Sequence, residues 1–216
     1  MPGQIPMGVI VDKVIEGIGK AQRDYMSWSN GYWLSNAPEY MITTSVARSI
    51  STISKTSKCW VILENNVKET MCDASAGSRG CYHSNLRADG KFDIVACWAD
   101  ETPRAVIELK HNVWSKRRPL RDISRLKEVL RRNSGDSRVQ FCVLGFYIQC
   151  CDKNRDFAIK KLNKRINRIT DAAIEEVGEE FEVTQYDGGF VTKNDDDEWV
   201  WEAVALVIRR KSTESS

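Results

Sequence analysis

The sequence predicts a mixed α/β domain, a central β-sheet flanked by helices, and three observations carry that expectation. Segments with apolar residues at three- and four-residue steps alternate along the chain with short, β-rich apolar runs. One run, residues 139–151, is nearly all apolar, as a strand covered on both faces must be. Two shorter runs, residues 92–98 and 104–110, flank a turn at residues 100–103 and read as a β-hairpin.

The elements follow in order. Ile10, Val14, Ile15, Ile18 and Ala21 give residues 9–27 helical periodicity. Asn36-Ala37-Pro38-Glu39 is a helix entry, with proline just inside the start and an acid in the first turn. Ile42, Val46, Ile50 and Ile53 continue one face of that helix, and Glu39, three residues before Ile42, points toward the core side. Residues 59–63 read as a strand. Residues 65–90 contain Gly, Ser and Asn without periodicity and predict a long loop. After the hairpin, Pro119 opens a helix with Leu120, Ile123, Leu126, Val129 and Leu130 on its apolar face, stopped at Asn133-Ser134-Gly135-Asp136. A long helix is expected over residues 157–177, a weak strand over 181–186 and a stronger one over 199–209. No linker divides the chain, so residues 1–216 are expected to form a single domain, with a core over about 36–177 and a C-terminal strand extension over 178–216.

Composition narrows the function classes. With 216 residues, 42% hydrophobic and 29% charged, the chain has the make-up of a globular domain with a substantial core. No run approaches the ~18 apolar residues of a membrane span. The N-terminus lacks the basic and apolar segments of a secretory signal, so a cytoplasmic protein is expected. Seven cysteines, an odd number, argue for reduced thiols. Cys72, Cys81 and His83 lack the paired knuckles of a zinc site and read better as loop residues. Net charge is only +2, but residues 104–138 hold eleven Lys or Arg against four acids, whereas residues 178–202 hold nine acids and one Lys. A basic segment of this kind suits a polyanionic partner.

Asp93 and Glu108 are acids inside apolar strands, where an uncompensated carboxylate is costly. Lys110, two residues after Glu108, shares its face. If Asp93 pairs across the hairpin, two carboxylates and an ammonium converge at a site suited to Mg²⁺, with Mn²⁺ as a substitute. Lys91-Phe92-Asp93-Ile94-Val95 followed by Val106-Ile107-Glu108-Leu109-Lys110 resembles the PD-(D/E)xK, or restriction endonuclease-like, nuclease superfamily. In that family an acid on one strand is followed by an acid-x-lysine triplet on the next, and an earlier helix often adds an acid, here Glu39. Phe92 stands where the family has Pro.

That resemblance implies a restriction endonuclease-like core and a Mg²⁺-dependent endodeoxyribonuclease acting on DNA, with homodimers among its family's assemblies. It makes Asp93 and Glu108 metal ligands, the Leu109 carbonyl and Glu39 further ligands, and Lys110 the group that positions water and stabilises the phosphate. Lys116, Arg117, Arg118 and Arg121 are the candidate backbone-phosphate contacts. Arg121 and Arg125 lie on the first turns of the helix opened by Pro119, near where the active site should open, while Asp122 and Arg125 equally fit an i,i+3 surface pair. His111 is expected on the opposite sheet face, as a packing residue. The competing reading is a nuclease-fold domain without turnover that binds nucleic acid or a protein partner.

Overall fold

Helix α1 (Met7–Trp28) buries Ile10, Val14, Ile18 and Ala21 of the stripe its periodicity predicts and adds Val11, while Ile15 is only partly buried. Helix α2 (Tyr40–Ser51) buries Ile42, Val46 and Ile50. The two cross where α1 carries Gly17. A Cβ there would lie 2.5 Å from the Val46 Cα, and the Ser45 hydroxyl donates to the Gly17 carbonyl at 2.8 Å. Backbone touches backbone at this point, so Gly17→Ala is expected to force the helices apart at a cost of about 1–3 kcal/mol. A thermal melt checks it, because at this chain length each kcal/mol moves Tm by roughly 2–4 °C.

The computed structural model describes residues 5–53, 59–77, 80–132, 137–189, 191–192 and 198–211. Seven strands form one mixed sheet: β1 (Trp60–Asn66), β2 (Lys91–Cys97), β3 (Pro103–Lys110), β4 (Phe141–Cys151), β5 (Phe181–Asp187), β6 (Val191–Thr192) and β7 (Trp199–Arg210). The order is β1-β2-β3-β4-β7-β5, with β6 also paired to β7. Among the described residues only β3 and β4 run parallel, with Ala105 opposite Phe141 and Lys110 opposite Phe146. Their crossover carries helix α4 (Arg117–Arg131), and helix α5 (Arg155–Val177) follows β4. Helices α1 and α2 cover one face, packing on Ile94, Ile107, Leu109 and Val143. Helices α4 and α5 cover the other, packing on Val95, Val106, Leu144 and Leu206. The architecture is therefore α/β, a mixed sheet between helical layers. No helix among the described residues is long and apolar enough to cross a membrane.

One helix was not expected. Residues 65–90 read as a loop, yet helix α3 (Val67–Asp73) follows β1 directly. Asn66 caps it, its side chain accepting from the Lys68 and Glu69 amides, and Val67, Thr70 and Met71 form its buried face. A capped helix of about two turns is too short to show periodicity. Helix α4 begins two residues before Pro119, which sits in its first turn. The expected stop at residues 133–136 lies outside the described residues.

Strand β7 brings one more buried acid into the sheet. Glu202 is 2% exposed and faces Ile148 across the ladder. Burial, with Asp187 nearby, pushes its carboxyl up to about 7 despite a hydrogen bond from the Gly189 amide. Between pH 4.5 and about 7 the folded chain keeps a proton that the unfolded chain has released, so stability declines as pH rises through that window. Glu202→Gln is expected to remove this slope and to stabilise the protein at pH 8 by about 2 kcal/mol, after allowing for solvent screening. Urea unfolding of both proteins at pH 5 and pH 8 measures it.

Candidate active site

The hairpin formed by β2 and β3 pairs Ile94 with Ile107 and Val95 with Val106, a register that sets Asp93 across from Glu108 on the face covered by α4. Asp93 takes its orientation from the backbone: its Oδ2 accepts from the Leu109 amide at 2.7 Å. Its carboxyl also lies within hydrogen-bonding reach of Glu108. Burial raises the Asp93 carboxyl above its usual range, partly opposed by Lys110. Glu108 is 2% exposed, and burial followed by the charge of Asp93 pushes it up to about 8. The pair therefore shares a proton at neutral pH when no added cation is present, and Glu108 is the better holder of it.

Lys110 ends β3. Its ammonium donates to Glu39 Oε1 at 3.3 Å and to the Leu109 carbonyl at 2.7 Å, and lies 3.5 Å from Asp122 Oδ2. Burial works against its charge, but Asp122, Asp93, Glu39 and Glu108 together outweigh burial and raise its pKa. The Leu109 carbonyl, one of the expected metal ligands, is thus occupied by Lys110. Glu39 comes from the opposite helical layer, at the entry to α2, and meets Lys110 at the strand's tip. Burial alone would raise Glu39, but hydrogen bonding to the His111 ring and the charge of Lys110 bring it down to about 2.

Three of these partners depart from the sequence expectation. His111 meets the layer opposite α4, as expected, but as a polar partner rather than a packing residue: just past the end of the strand, before Asn112 with its positive φ of 55°, its ring lies 3.1 Å from Glu39 Oε2. Asp122 and Arg125 are not a surface pair, for both are 4% exposed. Arg125 Nη1 donates to Glu108 Oε1 at 2.6 Å, its Nε donates to the Leu86 carbonyl at 3.1 Å, and its guanidinium lies 4.6 Å over the Phe92 ring. Asp122 accepts from Arg87 at 2.7 Å as well as facing Lys110. The signal for both was positional: residues 122, 125, 126 and 129 share one helical face, so the two charges travel inward with Leu126 and Val129. Arg87, with a φ of 53°, closes the far side from the 3-10 turn Ser84–Leu86. By contrast Lys116, Arg117, Arg118 and Arg121 are exposed on and just before the first turns of α4, outside this network.

The cluster therefore gathers four carboxyls (Glu39, Asp93, Glu108 and Asp122) around three permanent cations (Arg87, Lys110 and Arg125). With every group ionised it lacks one positive charge, and the deficit falls on Asp93 and Glu108, the two acids whose carboxyls are raised. Hard carboxylate oxygens short of a cation fit Mg²⁺ or Mn²⁺, ions that retain several waters and need few protein ligands. Among the described residues no three acid, histidine or cysteine side chains converge as a metal-ligating group, so this pair would be the core of the protein's contribution. No family model, no curated protein and no solved structure matches this chain.

Proposed function

We propose that the chain is a Mg²⁺- or Mn²⁺-dependent nuclease with a restriction endonuclease-like core, hydrolysing phosphodiester bonds in DNA. The observation that carries the reading is the Asp93–Glu108 pair, short of one positive charge and placed beside a half-buried, charged Lys110. A divalent ion held by that pair would supply charge at the phosphate and acidify the attacking water. Asp93, fixed by the Leu109 amide, and Glu108 would hold the ion. Lys110 donates to a non-bridging phosphate oxygen and stabilises charge as it develops. Glu39 and His111 form the bracket that keeps the Lys110 ammonium at the strand tip, and Asp122 steadies it from α4. The test is cleavage of supercoiled, linear and single-stranded DNA, and of RNA, with Mg²⁺, with Mn²⁺ and with chelator. Metal-dependent cleavage lost in Lys110→Ala supports the reading; cleavage that survives chelation overturns it.

One observation favours a second reading, a nuclease-fold domain without turnover. Arg125 already lies 2.6 Å from Glu108, so a guanidinium stands as the counter-ion that a metal would otherwise be. Under that reading the charges serve to dock α4 on the sheet. Calorimetric titration of Mg²⁺ separates the two: the nuclease binds the ion with an affinity that Asp93→Asn abolishes, and the inactive domain binds none.

A further inference from the structure

Behind the hairpin, a groove of about 790 Å³ lies between α5 and the segment that leads from Lys110 into α4. Lys161, Lys164, Arg165 and Arg168 line it from α5. Their i, i+3, i+4, i+7 spacing puts all four cations on one helical face. Lys116 and Trp114 line the other side. Two acids, Asp171 and Glu175, also line it, leaving a clear positive excess.

The cations are not equally free. Lys161 pairs with Asp152 at 3.0 Å, and Arg165 donates to the Gln149 carbonyl at 3.1 Å. Lys116, Lys164 and Arg168 are exposed and have no ion-pair partner among the described residues. Trp114 is 53% exposed, and the Arg165 guanidinium lies 5.0 Å from its ring centroid. A large aromatic ring is thus held at a wet surface by a cation that is itself anchored to β4. This is the combination that unstacked bases and their phosphates recognise, since a base has a π-face to offer only when it is free of a duplex stack.

Position ties the groove to the acid cluster. Strands β3 and β4 are parallel, so their C-terminal ends share one edge of the sheet. Lys110 is opposite Phe146, and Gln149, which anchors Arg165, lies three residues further along β4, about 10 Å away. Trp114 follows Lys110 by four residues.

We propose that this groove binds a single-stranded segment of nucleic acid, one base stacking on Trp114 and the phosphates meeting Lys164, Arg168 and Lys116. The inference builds on the nuclease reading and names its substrate: a free strand or single-stranded arm, led across the ends of β4 and β3 to Asp93, Glu108 and Lys110. Duplex DNA presents phosphates alone and leaves Trp114 without a role.

Fluorescence anisotropy tests it with a labelled oligothymidine about 12 nucleotides long, a duplex of equal length and the matching oligouridine. Measurements in chelator on an Asp93→Asn background keep the strand intact. The single strand is expected to bind more tightly than the duplex. Trp114→Ala should weaken it by about tenfold and Trp114→Phe by much less. Removing both Lys164 and Arg168 as alanines should lower the salt slope by about 1.4, two contacts at ~0.7 each. Oligothymidine against oligouridine tells DNA from RNA. Trp114, Lys164 and Arg168 are all exposed, and a thermal melt confirms folding. Duplex preference, indifference to Trp114→Ala or no binding overturns the groove. Its fate is separate from that of the nuclease. Trp114-dependent binding without cleavage by the parent protein in Mg²⁺ keeps the groove and rejects the nuclease. Cleavage with binding unmoved by Trp114→Ala does the reverse.

Discussion

Lys110→Ala is expected to lower the rate of phosphodiester cleavage by at least about a hundredfold, with the fold retained. The expectation follows from what holds the ammonium. Burial disfavours its charge, yet four carboxyls surround it and its pKa ends above the usual lysine value. It is therefore a cation at neutral pH, suited to stabilising charge on a phosphate rather than to taking up a proton. The loss should appear in the chemical step under single-turnover conditions and should not be recovered by more metal. Asp93→Asn is expected to be as damaging but for a different reason, since it removes a ligand and should raise the metal concentration needed. Asp122 retains Arg87 in the Lys110 variant, which protects the docking of α4. Cleavage within a few-fold of the parent rate in both variants would remove Lys110 and Asp93 from the mechanism.

Arg125→Met is expected to destabilise the protein by about 3–5 kcal/mol at pH 9, above the value of about 8 to which the Glu108 carboxyl is pushed, and by less at neutral pH, where Glu108 holds a proton; at pH 9 this is the largest effect on folding among the substitutions considered. The side chain leaves behind Glu108, 2% exposed and without its closest counter-charge, and it abandons the Leu86 carbonyl and the Phe92 ring. Pairing it with Glu108→Gln should return much of the loss, because what costs most is the uncompensated charge and not the missing attraction. Urea denaturation of the two single variants and the double variant closes the cycle. A coupling near zero would mean that Arg125 and Glu108 do not depend on one another.

How far the site was legible depends on where each residue sits. Asp93, Glu108 and Lys110 announced themselves because acids interrupt apolar strands and because strand periodicity fixes their face; the observed hairpin register places them together. Glu39 was visible as a helix-entry acid, though its two partners were not. Asp122 and Arg125 stay open in the sequence because i,i+3 spacing describes a pair on the surface and a pair turned inward equally well. Only the packing of α4 against β3 decides between them. The face of His111 followed from strand alternation, but its partner Glu39, 72 residues earlier in the chain, left no local signal. Helix α3 escaped notice since its signal is one capping asparagine rather than a period. The face formed by Lys161, Lys164, Arg165 and Arg168 was readable from spacing alone, but charge was weighed over a different segment.

The placement of β7 between β4 and β5 has a consequence for the newborn chain. Of the described strands, β7 is synthesised last, yet both of its edges are paired along the middle of the sheet. Until it leaves the ribosome, β4 has an open apolar edge and β5 has no strand to lie against. The nascent protein must therefore wait with β4 exposed, a template for pairing with another chain. Molecules arrested before residue 199 are expected to be chaperone clients, and the acids at the tip of β3 would not be firmly seated in them.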